Sequence, residues 1–243
     1  MEKNFELTFI KEMQLRGFAE STKKSYVAYT RRFVRSLSKP THKLDAEDLK
    51  EYLHQIIENK SLAPRTINAR RSAIIFFLRH VLRQTIADGI VPQLKTPSTL
   101  PVVMTQEEVK LLFTTLNNIF YKSLLMVMYS TGLRSQEVRD LKISDIDSKQ
   151  MVIHIRQGKG QKDRKAMLSP KCLEYLRAYW SKYRKDDPIK SDWLFTPRKS
   201  CKGRLDKQLS PTAIAYIVKS ALKAAGIKKK SPHIRLGTAL QLT

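Results

Sequence analysis

The 243 residues hold only two cysteines, Cys172 and Cys201, far apart and without metal-ligand spacing. That excludes a disulfide framework and fits a reducing cytosol. Glycine is scarce, with eight in all. Few glycines combined with long charged-apolar segments favour a mainly helical chain. No long hydrophobic run occurs. The stretch around Ala73 to Leu78 falls far short of the ~20 residues that a membrane helix needs, and Met1 to Phe9 carries acids where a signal peptide would be apolar. Internal repeats are missing, and the only low-complexity tract is the Lys228–Lys230 run.

Acid is what the chain lacks most. Asp and Glu number 22 against 46 Lys and Arg, a net charge of +24 spread along the whole length. Such a surplus costs self-repulsion in a compact state, and a polyanion relieves it. The remaining composition, 42% hydrophobic and 28% charged, is that of a globular protein able to bury one large core or two small ones. On charge alone, nucleic acid stands ahead of a merely basic or ribosome-associated protein.

The hydrophobic periodicity divides the chain. Residues 1–84 read as four helices. The first sets Leu7, Ile10 and Met13 on one face and stops at Gly17; the second starts after Ser21 and gathers Tyr26, Phe33 and Leu37. Asp45 and Asp48 form an acidic cap for the third, which carries Leu49, Tyr52, Leu53 and Ile56. Pro64 opens the fourth, with Ile67, Ile74, Phe77, Leu78 and Val81 apolar and Arg65, Thr66, Asn68, Arg70 and Arg71 as a basic-polar patch. Pro92, Pro97 and Pro101 mark residues 85–101 as an extended linker. A second domain, 102–243, begins with the capping box Thr105-x-x-Glu108. It is mostly helical, with one β-hairpin: Met151–Ile155 and Lys165–Leu168 are strand-like and joined by the basic loop Gly158–Arg164. Helices resume over Pro170–Lys185 and Pro211–Ala225.

Three positions invite chemistry. Arg134 follows the turn signal Thr131-Gly132 and opens a helix, where a guanidinium and first-turn N–H groups can face one anion. Glu137, one turn on, can orient it; the bland alternative is a local surface pair. Lys159 lies between Gly158 and Gly160, where it offers a proton and a point charge at a sterically open tip, though charged turns are common. His233 follows Ser231-Pro232, and alone it is more often a solvent-facing histidine than a catalytic one.

Taken in order, the segments Thr131-Gly-Leu-Arg-x-x-Glu137, Gly158-Lys-Gly-x-Lys-x-Arg164 and Ser231-Pro-His233 resemble the successive active-site boxes of the tyrosine recombinase, or phage integrase, family. The stretch from Leu7 to Leu82 resembles that family's SAM-like core-binding domain, and Pro101–Val109 the start of its catalytic domain. The resemblance implies phosphoryl transfer without metal or cofactor, through a 3′-phosphotyrosyl bond. Arg134 would hold the non-bridging phosphate oxygens and Lys159 would protonate the 5′-oxygen leaving group. His233 would assist proton transfer, with Glu137 in support. The two domains would clamp duplex DNA, with Lys23, Lys24, Arg65, Thr66, Asn68, Arg70, Arg71, Lys162 and Arg164 as contacts. For each of these a solvated helix or loop face is the competing reading. The expected partners are double-stranded DNA and further recombinase protomers, with no membrane and no small-molecule substrate. The expected setting is the cytoplasm at the nucleoid, in a mobile element.

The tail departs from the family pattern. Arg235 follows His233 by two places, where the family has an arginine at three, and no tyrosine stands between His233 and Thr243. The catalytic domain is therefore expected to be incomplete, and the chain to bind DNA without cutting it. Codons can be chosen for Arg235–Thr243 that, read one frame over, spell Leu-Arg-His-Ser-Phe-Ala-Thr-His, the family's next motif. A frameshift accounts for the tail. The alternatives are an activity completed by a frameshifted or separate C-terminal segment, and a basic DNA-binding regulator without catalytic ancestry.

Overall fold

A computed structural model of the chain describes residues 2–59, 62–87, 89–97, 103–156, 163–186, 191–197 and 207–228. It divides into two compact units, Met1–Thr99 and Leu100–Thr243. Among the described residues there are nine α-helices and one three-stranded sheet, so the mainly helical class with a small hairpin sheet holds.

The first unit contains α1 (Glu2–Leu15), α2 (Glu20–Ser36), α3 (Ala46–Glu58) and α4 (Pro64–His80). Gly17, with φ of +68°, ends the first helix in the left-handed conformation that only glycine adopts without strain. The acidic cap of α3 forms: the Asp45 carboxylate accepts from the Glu47 and Asp48 N–H groups, and Asp48 accepts from the Asp45 N–H. Pro64 opens α4 where its missing N–H costs nothing. α2 starts slightly before the expected place. Its N-cap is Ala19, which makes no side-chain cap, so packing rather than capping sets that end. Phe9, Met13, Phe33, Leu49, Ile74, Phe77 and Leu78 are fully buried and join the four helices in one core. Phe77 meets Phe5 and Phe9 edge-on at 5.4 and 5.6 Å.

The expected linker is packed where it is described. Ile86 and Val91 are buried in the first core. The Asn68 amide donates to the Leu94 carbonyl at 2.8 Å and accepts from the Leu94 N–H at 2.9 Å, as a neighbouring strand would. Arg71 donates to the Val91 carbonyl and Arg79 to the Ile86 carbonyl. One face of α4 thus satisfies backbone groups that an extended segment cannot satisfy by itself.

The second unit opens with α5 (Gln106–Thr115), started by the reciprocal Thr105–Glu108 capping box. It continues through α6 (Ile119–Thr131), α7 (Ser135–Arg139), a 3-10 turn at Ile143–Asp145, and strands β1 (Ile146–Asp147), β2 (Val152–Ile155) and β3 (Arg164–Met167). Helices α8 (Pro170–Tyr183) and α9 (Pro211–Ala224) follow. The sheet is antiparallel in the order β1-β2-β3, and the hairpin register ends on the pair Ile155 and Arg164. The hairpin was legible in the sequence. β1, two residues long, was not, because it is too short to show alternation.

Helix α6 is the core of this unit, with Leu124 and Val127 fully buried. The Tyr179 ring packs in a cluster with Phe120 and Phe195, and its hydroxyl donates to the Leu194 carbonyl at 3.0 Å. It is a packing residue, as its spacing from Tyr175 suggests. Burial pushes the Cys172 thiol up to about 11. Among the described residues, no helix is long and apolar enough to cross a membrane, and no cluster of metal-ligating side chains occurs.

Candidate functional site

The site grows from the chain reversal between α6 and α7. Gly132, with φ of +64°, caps α6 in the left-handed conformation. Leu133 is buried next to it, and Arg134 follows in extended conformation as the N-cap of α7. That geometry leaves the Arg134 side chain outside the core, 60% exposed, while Glu137 one turn later turns inward, 6% exposed.

Glu137 holds two arginines. One carboxylate oxygen accepts the Arg134 backbone N–H at 2.7 Å and Arg164 Nη2 at 2.8 Å. The other accepts Arg134 Nη1 at 3.1 Å and Arg164 Nη1 at 2.7 Å. Arg164 is thus bidentate, the geometry that binds a carboxylate most strongly. Burial by itself would raise the Glu137 carboxyl. The Arg164 hydrogen bond and the Arg134 N–H outweigh it and hold the group at about 2. Arg164 in turn is shifted upward by its bond to Glu137. Glu137 is ionised at any physiological pH, and Arg134 is held by one Nη1 bond with its side chain largely exposed. Such a cation suits a phosphate oxygen.

A second buried carboxylate lies nearby in the chain. Asp145, 3% exposed, accepts the Lys142 backbone N–H at 2.9 Å and Arg156 Nε at 2.8 Å. Arg139, at the end of α7, reaches the other way and donates to the Leu209 carbonyl, tying α7 to the segment that leads into α9. The sequence reading missed Asp145, Arg156 and Arg139. The signal for Asp145 was present, since Lys142-x-x-Asp145 repeats the basic-then-acidic spacing of Arg134-x-x-Glu137.

The other candidates fall into three groups. Lys159, Lys162 and His233 lie outside the described residues. Lys24 and Arg65 are exposed on the first unit and Thr66 is half-buried. The rest are turned to protein partners. Lys23 is buried and pairs with Glu20; Arg70 is buried, donates to the Tyr52 hydroxyl and lies over the Tyr29 ring. Asn68 and Arg71 hold the segment at Val91–Leu94, and Arg164 holds Glu137.

Two helical units, the second bearing an exposed arginine at a helix start beside a β-hairpin, define the class of fold. The model of the phage integrase family matches residues 102–242, and that of the phage integrase N-terminal SAM-like domain matches residues 7–88. The chain belongs to the phage integrase family. It is 37% identical over 185 residues to y4qK of Sinorhizobium fredii, named as an integrase/recombinase, covering 76% of this chain and 58% of that protein. Tyrosine recombinase XerA of Pyrococcus horikoshii is 29% identical over 225 residues, covering 93% of this chain and 74% of XerA. The chain thus spans less than two thirds of the Sinorhizobium relative. In fold it is similar to the lambda integrase in a tetramer bound to a Holliday junction, with a TM-score of 0.69 at 14% identity, covering 98% of this chain and 70% of the integrase.

Proposed function

We propose that this chain binds duplex DNA and sets one backbone phosphate against Arg134, as a protein of site-specific DNA recombination. The observation that carries the reading is the exposed Arg134 guanidinium at the start of α7, held from behind by a buried, ionised Glu137. A dianionic, phosphorane-like charge is stabilised by fixed cations that need no reorganisation, so no metal or cofactor is required. In this reading Lys159 protonates the leaving 5′-oxygen, His233 assists the proton transfer, and Glu137 orients Arg134. Lys24, Arg65 and Thr66 position the duplex on the first unit, and Lys162 adds a further cation. Further protomers on the same DNA are the partners that strand exchange requires. Cytoplasmic action at the nucleoid follows from that substrate.

Binding is tested by titrating labelled duplex over a range of salt. The expected result is an affinity that falls steeply with salt and is weakened by Arg134→Ala; no retention of duplex at low salt would overturn the reading. Cleavage is tested with a nicked suicide substrate. A covalent protein–DNA adduct is the result that strand cleavage by this chain requires, and its absence would limit the reading to DNA binding. Sequencing the coding DNA for Arg235–Thr243 and beyond tests the frameshift, which predicts Leu-Arg-His-Ser-Phe-Ala-Thr-His in a neighbouring frame.

A further inference from the structure

Glu137 has its acceptor capacity filled. A carboxylate offers about four lone-pair directions, and they are taken by Arg164 Nη1 and Nη2, the Arg134 backbone N–H and Arg134 Nη1. The two guanidinium groups share it unequally. Arg164 holds both oxygens, at 2.7 and 2.8 Å, whereas the Arg134 guanidinium makes a single bond at 3.1 Å, the longest of the set. Among the described residues, Arg134 Nε and Nη2 make no hydrogen bond. Exposure runs in the same order, 39% for the Arg164 side chain and 60% for that of Arg134. Local structure explains the division. Arg164 opens β3 and is paired in register with Ile155, a buried core residue, so its side chain leaves from a fixed frame. Arg134 is the N-cap of the short helix that carries Glu137, and its own N–H already occupies one acceptor place.

We infer that Arg164 is a positioning residue for Arg134: by occupying both Glu137 oxygens it keeps that carboxylate from closing on Arg134, and so leaves the Arg134 guanidinium to an outside anion. Charge counting supports this. Two guanidinium groups against one carboxylate leave a surplus of one positive charge, and the closer, bidentate partner is the one that is neutralised. The surplus therefore sits on Arg134. A simple Arg134–Glu137 pair, which a three-residue spacing permits, would have no surplus and would turn the guanidinium towards its own helix. Removing Arg164 thus takes away more than its own charge. It frees two acceptor places on a buried carboxylate, and Arg134, already bonded to one oxygen, has the donors to fill them in the favoured two-bond geometry.

The inference rests on the DNA-binding reading of Arg134 and is tested by a double-mutant cycle in the full chain. Arg134→Ala is made in the wild-type, Arg164→Met and Arg164→Lys backgrounds. At fixed salt, Arg134→Ala is expected to weaken duplex affinity about tenfold in the wild type and less than about threefold with Arg164→Met. Arg164→Lys keeps a cation but lacks the planar fork that spans both oxygens, and should fall between them; it also carries the comparison if Arg164→Met does not fold. Urea unfolding gives a readout independent of DNA, with the opposite trend. Arg134→Ala should raise the unfolding equilibrium constant less than about fivefold in the wild type and about tenfold with Arg164→Met, where Arg134 has become the main partner of Glu137. An equal cost of Arg134→Ala in every background, on either readout, overturns the inference; it is what a direct DNA contact or a merely structural role for Arg164 would give. Failure of the unaltered chain to bind duplex overturns the DNA-binding reading, while the unfolding cycle still decides whether Arg164 holds Glu137 away from Arg134.

Discussion

Two basic patches that look alike in sequence are used in opposite ways. On α4, three residues of the patch are spent on neutral groups of their own unit. Asn68 and Arg71 hold main-chain atoms of Leu94 and Val91, and Arg70 lies buried against Tyr52 and Tyr29. At the hairpin base, Arg134 and Arg156 are largely exposed while the acids that hold them are buried. A cation bonded to a carbonyl inside the protein is a structural cross-link. One held from behind by a buried carboxylate keeps donors free for an anion outside, in a fixed direction. Residue type at helical spacing does not distinguish the two; the partner does.

The largest break in that comparison is Glu137→Ala. It leaves two partly exposed guanidinium groups and the Arg134 N–H without their acceptor and is expected to destabilise the second unit by about 3 kcal/mol, read from denaturant unfolding. Unchanged stability would mean that the carboxylate holds nothing. Acid titration comes next. The Glu137 carboxyl is lowered from 4.5 to about 2 in the folded chain, so its stabilising contribution is full above pH 4.5 and lost as pH falls towards 2. Thermal midpoints should therefore fall more steeply over that window in the wild type than in Glu137→Gln, and parallel curves would remove the assignment. Asn68→Ala, on the other patch, should cost about 1–3 kcal/mol, because the Leu94 N–H and carbonyl lose their partner. Its duplex affinity at fixed salt should change little; a large loss of affinity without a loss of stability would make Asn68 a DNA contact after all. The smallest effect is expected from Arg65→Ala, an exposed cation. It should leave stability within about 0.5 kcal/mol of the wild type while reducing the slope of log affinity against log salt by about one.

Much of the fold could be read from the sequence because its signals are local. The Asp45 and Thr105 caps, the Pro64 start, the Gly17 stop and the period of the apolar residues each act within a few positions, and each reappears in the structure. The Arg134–Glu137 pair was legible for the same reason, being a single helical turn. What escaped was non-local. Arg164 was expected at DNA because it stands in a basic loop, and it faces a carboxylate 27 positions earlier in the chain. Residues 85–101 were expected as an extended linker because of their prolines, yet Ile86 and Val91 are core residues of the first unit.

By itself, then, the sequence determined the helical class, the shortage of acid, and the order of residues that marks the family. Only the tertiary structure decided which cations are consumed internally and which are presented. The reason is physical. A charge is assigned its role by the group within about 3 Å of it, and in a folded chain that group is usually supplied by a distant segment.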